Sequence, residues 1–255
     1  MKKNRVKQLL HSGKPALGGW VTIGHPDVAE IMANMGFDWL VFDNEHGPLS
    51  TETTQLLIQA MSSTETVPIV RVPWNDMVEI KRALDIGAYG VVIPWVNSKE
   101  EALYAVRACK YPPAGVRGVG PRRASRYGLD IKEYLQRAND EILIVIQIET
   151  QQAVDRIDEI LSVDGIDAFF IGPYDLSASL GYLGQPDHPK ALETFYRLLD
   201  AAKSSGVASG IHALNLESAE RYIGRGFQFV ALSTDTGLLI HGCREILEGV
   251  RELRS

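Results

Sequence analysis

Eight short apolar runs, each followed by a stretch of helical periodicity, recur along this chain at intervals of roughly thirty residues. They are Ala16–Ile23, Phe37–Asp43, Val67–Val72, Gly90–Val96, Ile142–Ile148, Ala168–Ile171, Ala208–His212 and Phe229–Leu232. Short strands that are apolar on both faces suit a parallel sheet covered on both sides. An open doubly wound sheet has the same local pattern. Eight units nevertheless fill all 255 residues without a break in composition, and no glycine-rich dinucleotide turn follows the first run. The expectation is one (β/α)8 barrel, a TIM barrel, as a single domain over residues 1–255. A short helix, Lys3–His11, precedes it, and a last helix runs from about Thr236 to Leu253.

Helix starts follow from side chains that accept from free backbone N–H groups. Asp27 is expected to cap a helix running to Met35, Ser50 or Thr51 the next, and Asn75-Asp76 a third whose last turn holds Asp85. Ser98 opens a helix to about Cys109, and further helices are expected at Gln151–Leu161, Ala191–Ser204 and Leu216–Arg225. Two connections are long enough to suggest function. Tyr111–Leu129 contains Pro112-Pro113 and Arg117, Arg122, Arg123 and Arg126, and leads into a short helix at Ile131–Arg137; Tyr174–Pro189 is the second.

Composition narrows the partners. The net charge of -6, with the arginine cluster confined to one loop, argues against a nucleic-acid partner. Cys109 and Cys243 have no zinc spacing and make no disulfide framework. The start is basic and amphipathic without an apolar signal core, and no apolar run approaches the ~20 residues of a membrane span. A cytoplasmic protein without a membrane partner is expected.

Barrel active sites sit at the C-terminal ends of the strands. Those ends carry Trp20, Thr22, Asp43, Glu45, His46, Arg71, Gln147, Glu149, Asp175, His212, Asn215, Ser233 and Asp235. An acid closing a buried strand is costly to leave unpaired. Glu149 and Asp175, on consecutive strands, suggest a shared hard cation such as Mg²⁺ or Mn²⁺, with most of its coordination left to water and substrate. They also read as acids at helix N-termini, and the residues alone leave both readings open. Arg71 can hold a carboxylate by a bidentate fork, or pair with Asp43 or Glu45. His46 can move a proton near neutral pH, or be a core histidine. His25, His188 and His241 read as structural, and Asp235 as a helix cap. Asp85 sits where the helix dipole disfavours an acid, which points to a tertiary partner, expected to be a histidine. No lysine lies at a strand's C-terminal end, so a Schiff base has no placed nucleophile. The last two strands lack the paired glycines of a phosphate cradle.

Several blocks carry a family resemblance: Gly36-Phe37-Asp38-Trp39-Leu40 with Glu45-His46, Val70-Arg71-Val72-Pro73, Tyr111-Pro112-Pro113 through Arg117-Gly118-Val119, Gln147-Ile148-Glu149, and Ile171-Gly172-Pro173-Tyr174-Asp175-Leu176-Ser177. Across nearly the whole chain the sequence resembles the HpcH/HpaI aldolases, the class II, metal-dependent pyruvate aldolases. The resemblance implies reversible cleavage of a 4-hydroxy-2-oxo acid into pyruvate and an aldehyde, through a pyruvate enolate at a divalent metal (Mg²⁺, Mn²⁺ or Co²⁺). It implies that Glu149 and Asp175 ligate the metal, that Arg71 binds pyruvate, and that His46 is the acid/base group oriented by Asp85. Asp43, Glu45 and Gln147 would support the metal surroundings. Gly172, Pro173 and the peptides of Tyr174 and Asp175 would receive the pyruvate carboxylate. It further implies a homo-hexamer, a trimer of dimers, with the C-terminal helix exchanged between subunits. The Arg117–Arg126 loop is expected at a subunit interface near a neighbour's site, where an arginine would attract an anionic aldehyde. Oxaloacetate decarboxylation, or another addition through the same enolate, is the alternative; a non-catalytic 2-oxo-acid sensor is a third reading. Asn44 stands where better-known members have Gly, His212 and Asn215 where they are mostly apolar, and Tyr174 where they have a small residue. These departures bear on the aldehyde, not on pyruvate.

Overall fold

The computed structural model describes residues 1–252. Eight parallel strands close in chain order into a barrel: β1 (Ala16–Val21), β2 (Trp39–Asp43), β3 (Val67–Arg71), β4 (Gly90–Ile93), β5 (Leu143–Ile148), β6 (Ala168–Ile171), β7 (Ala208–Ala213) and β8 (Phe229–Thr234). β8 returns to β1 with Phe229 opposite Ala16, and the register shifts between Gly18 and Trp20. The expected strands are all present with altered ends. β3 and β4 stop short of Val72 and Val96, ahead of Pro73 and at Pro94, because a proline has no N–H for the ladder. β7 and β8 extend to Ala213 and Thr234.

Two packed layers follow from strand alternation. Inside the barrel, Trp39 lies against Phe229 with ring centroids 4.0 Å apart, and Trp20 lies against Phe170 at 5.1 Å. Gly18 is required here, because a Cβ would stand within the Trp39 ring. Burying each such aromatic contributes on the order of 1.5–3 kcal/mol. Helix α1 (Arg5–His11) closes the N-terminal end of this interior with Val6 and Leu10. The second layer, between strands and outer helices, is built from residues such as Leu40, Phe42, Ile144, Ile146, Phe195 and Leu198.

The outer helices are α2 (Pro26–Asn34), α3 (Thr51–Ala60), α4 (Met77–Asp85), α5 (Lys99–Cys109), α6 (Ile131–Glu141), α7 (Gln151–Asp155), α8 (Ile157–Leu161), α9 (Pro173–Ser179), α10 (Pro189–Ser205), α11 (Leu216–Arg225) and α12 (Asp235–Glu252). Ser50, Asp76 and Ser98 are the caps expected. The cap of α2 is His25, not Asp27: Pro26 occupies the first helical turn, and the imidazole Nδ1 accepts from the Asp27 N–H. His188 caps α10 in the same way. The expected single helix Gln151–Leu161 is broken at Arg156 into α7 and α8, and Pro173 starts α9 where a loop was expected.

Asp235 is more than a helix-terminal residue. Its buried carboxylate accepts from the N–H groups of Thr22 and Ile23 and from the Thr22 hydroxyl, at 2.7–2.8 Å, tying the end of β1 to the end of β8. Beyond it α12 exposes Leu239, Ile246 and Leu247. The exchange expected of this helix involves a second copy; Leu253, its expected end, lies outside the described residues. Among the described residues no helix is long and apolar enough to cross a membrane.

Candidate active site

The acids and bases of the strand ends gather at one mouth. Arg71, closing β3, donates from Nε to Oδ1 of Asp43 at 2.9 Å and from Nη2 to Oδ2 at 2.6 Å. The fork is possible because β2 and β3 pair with Asp43 beside Arg71. Burial pushes Asp43 up, but the guanidinium outweighs it and holds the carboxyl below its ordinary value. Arg71 Nη1 lies 3.0 Å from Glu45 Oε2, an oxygen that is buried without a hydrogen bond. Arg71 thus engages both acids while its guanidinium also lies 5.2 Å over the Trp20 ring.

Glu149 follows β5 and is buried. Its Oε1 accepts from the Trp95 N–H at 2.8 Å and its Oε2 from Gln147 Nε2 at 2.5 Å. Trp95 makes that contact from a left-handed backbone, φ 56°. Asp175 lies in the first turn of α9 and is exposed. Glycine at 172 leaves the space between these groups open. A Cβ there would stand 3.2 Å from Gln147 Nε2, 3.3 Å from Asp175 Oδ2 and 3.4 Å from Glu149 Oε2.

This cradle suits a divalent cation. Burial, with smaller pushes from neighbouring carboxylates including Asp175, outweighs Arg71 at Glu45 and the Trp95 N–H at Glu149 and leaves both acids raised to about 7. Buried acids held up in this way would be drawn to their charged form by a nearby dication. Hard oxygen donors suit Mg²⁺ or Mn²⁺. Among the described residues no group of three or more His, Cys, Asp or Glu side chains forms a closed metal cage. Two carboxylates leave coordination positions for water and substrate.

The other expected residues divide. His46 is exposed, so it is not a core histidine; its N–H donates to Asp43 Oδ1, and its Nε2 lies 3.9 Å from Glu45 Oε2. Asp85 makes no hydrogen bond or ion pair with His46 within the described chain. Its partner is Arg117, whose Nη2 lies 2.7 Å from Asp85 Oδ1. The acid at the unfavourable end of α4 is thus compensated by a guanidinium rather than an imidazole. Arg117 is itself fully buried, 4.5 Å over Tyr111, and donates to the Tyr134 hydroxyl. The loop arginines are mostly engaged inside the chain: Arg123 with Ile86 O and Ser62, Arg126 with Asp130. The Tyr174 side chain is exposed beside Asp175. Two participants were missed from sequence, the Trp95 N–H and the Asp235 clip. The Pro94-Trp95 break after the fourth strand was the only signal for the first.

Residues 17–242 match the HpcH/HpaI aldolase/citrate lyase family. The chain is 43% identical, over 246 residues, to a 4-hydroxy-2-oxo-heptane-1,7-dioate aldolase of Salmonella dublin, covering 96% of this chain and 93% of the relative. A solved HpcH/HpaI aldolase/citrate lyase family protein from Burkholderia cenocepacia superposes with a TM-score of 0.94 at 35% identity, over 98% of this chain and all of that one. The citrate synthase SbnG gives a TM-score of 0.87 at 27% identity, over 96% of this chain and 97% of its own. The chain belongs to the HpcH/HpaI aldolase/citrate lyase family.

Proposed function

We propose that this member of the family is a class II pyruvate aldolase, a carbon–carbon lyase that reversibly splits a 4-hydroxy-2-oxo acid into pyruvate and an aldehyde. The observation that carries the reading is the open point over Gly172, ringed by Gln147, Glu149 and Asp175 at a mouth that also holds Arg71. Aldolase relatives over nearly the whole chain support it.

The family is metal-dependent, and Glu149 and Asp175 are the groups that would hold the ion, Mg²⁺, Mn²⁺ or Co²⁺. Bound there, the cation supplies a Lewis acid that draws negative charge off a 2-oxo group, an effect worth several kcal/mol. Arg71 adds a second positive contact, oriented by its fork to Asp43. The N–H groups of Tyr174 and Asp175, in the first turn of α9 after Gly172 and Pro173, face no acceptor among the described residues and suit the substrate carboxylate. In cleavage the C3–C4 bond breaks, the 4-hydroxyl gives its proton to a base, and the electron pair stays on C3 until a proton returns there as pyruvate forms. His46 is the group proposed to take the hydroxyl proton.

Asp85 enters this scheme through a second copy. Its tie to Arg117 places it with the arginine loop, which we propose packs against a neighbour and brings Asp85 to that neighbour's His46. The exposed apolar residues of α12 support a homo-oligomer, a hexamer with that helix exchanged. The test of the activity is pyruvate release from 4-hydroxy-2-oxo acids with and without chelator. Release that is lost in EDTA and restored by Mn²⁺ is expected; equal rates after verified metal removal would end the metal reading.

The likeness to a citrate synthase favours a second reading, other 2-oxo-acid chemistry on the same mouth, such as oxaloacetate decarboxylation. Product analysis with oxaloacetate alone, then with added aldehyde, separates the two.

A further inference from the structure

We propose that a second cleft beside the catalytic mouth receives the far end of the aldehyde, and that it selects a hydroxylated, uncharged aldehyde over one ending in a carboxylate. The inference rests on the aldolase reading above.

The cleft, about 290 Å³, opens where β6 and β7 end. Its inner wall is Pro173, two residues before Asp175, and His212 of β7; its outer wall is Asn215, Glu217 and Arg221 at the start of α11 together with Asp187. It borders the catalytic mouth at His212. The His212 imidazole lies on Trp20, with centroids 5.9 Å apart and planes 23° apart, and Trp20 is the ring beneath the Arg71 guanidinium. In this assignment the substituent of an aldehyde facing the pyruvate at Arg71 runs past His212 into the cleft.

The lining sets the chemistry. Arg221 pairs through Nη2 with Asp187 at 3.2 Å, while its Nε is buried without a partner. Glu217 adds a second carboxylate. Burial and the charge of Arg71 hold His212 near 4, so its ring is neutral at physiological pH. One guanidinium against two carboxylates leaves the cleft net negative, which repels a terminal carboxylate. A hydroxyl, by contrast, both donates and accepts: it can accept from the accessible edge of the Arg221 guanidinium and donate to Asp187, Glu217 or the imidazole. The cleft, at about 290 Å³, is far larger than the space one water needs. It holds a short polyhydroxylated chain.

The test has two arms. Deuterium uptake into the pyruvate methyl group, followed by NMR in D₂O with Mg²⁺ and no aldehyde, reports on the aldolase reading alone. Aldol addition of pyruvate to 2,3-dihydroxypropanal, propanal and 4-oxobutanoate then reports on the cleft. The expected kcat/KM for the dihydroxyaldehyde exceeds each of the others by about tenfold, the scale of one or two hydrogen bonds. Arg221→Leu should bring the ratio of dihydroxypropanal to propanal toward one, chiefly through KM. Asp187→Ala, at an exposed position, makes the same comparison should Arg221→Leu fail to fold. Preference for 4-oxobutanoate, or an unchanged ratio in a folded variant, overturns the cleft assignment while exchange leaves the aldolase reading standing. Absence of exchange in the unmodified enzyme overturns both.

Discussion

The Trp95 N–H donates to Glu149 Oε1 from a residue held at φ 56°. A bulky side chain in that region costs of order 1–3 kcal/mol, so the rest of the rim must hold it there. Trp95 leans on Trp74, with ring centroids 6.4 Å apart. The fixed amide aims one carboxylate oxygen and leaves the other for Gln147 and the open point over Gly172.

Substitutions at 95 should therefore sort by backbone tolerance. Trp95→Gly keeps the left-handed conformation accessible and should hold Mn²⁺ affinity within about threefold. Trp95→Val, β-branched, should weaken it by about tenfold and lower stability by roughly 1–3 kcal/mol. Titration calorimetry with Mn²⁺ and urea unfolding measure the two effects. Equal affinities in both variants would show that the amide does not position Glu149.

His46→Ala should lower kcat by about 10²–10⁴-fold, the usual contribution of a general acid–base group, with Mn²⁺ affinity retained. If Asp85 serves a neighbour's His46, mixing His46→Ala with Asp85→Asn subunits rebuilds intact pairs. Activity above that of either parent is expected after dissociation and reassembly. No recovery in verified mixed oligomers would remove Asp85 from the catalytic scheme.

Most of the architecture was legible because strand and helix periods differ and both repeat eight times. Where the reading failed, a local signal was overruled by a neighbour. Asp27 looked like a cap, yet Pro26 moved the helix start back to His25. Asp85 advertised a missing cation by its place at the end of α4, but only the fold could show that the cation is Arg117, from a loop some thirty residues on. The carboxylates of the mouth were visible as acids ending apolar strands. The Trp95 amide was not, because residue type marks only the Pro94 break and not which way a backbone donor points.

Arg117 and Asp85 should be strongly coupled. Removing one partner of a buried ion pair costs about 3–5 kcal/mol, and Arg117→Met also leaves the Tyr134 hydroxyl without that donor. Asp85 is partly exposed, which lowers the cost of its own replacement. The double variant Asp85→Asn/Arg117→Met should be more stable than the sum of the single losses by at least about 1 kcal/mol. Urea midpoints at pH 7 give the cycle; simple additivity would contradict the coupling.

Acid should reveal His212. Its folded value near 4 lies below the ordinary 6.5, so between those values the unfolded chain binds the extra proton. The contribution is complete above about pH 6.5 and is lost as pH falls toward 4, to a limit of about 3 kcal/mol, less what solvent at its exposed edge screens. His212→Asn should flatten the decline in urea midpoint between pH 6.5 and 4.5. An unchanged slope would mean that other groups dominate acid unfolding.

The clip from Asp235 to Thr22 and Ile23 has a consequence for how the protein is made. β1 leaves the ribosome first and waits for β8, the last strand synthesised, before its second edge is covered. Glu149 and Asp175 are then already in place on an open, unfinished sheet. The carboxylate that fastens the seam comes one residue after β8, at the start of α12. Barrel closure and the first turn of α12 are therefore one event, and a chain released short of Asp235 would carry Glu149 and Asp175 without a closed mouth around them.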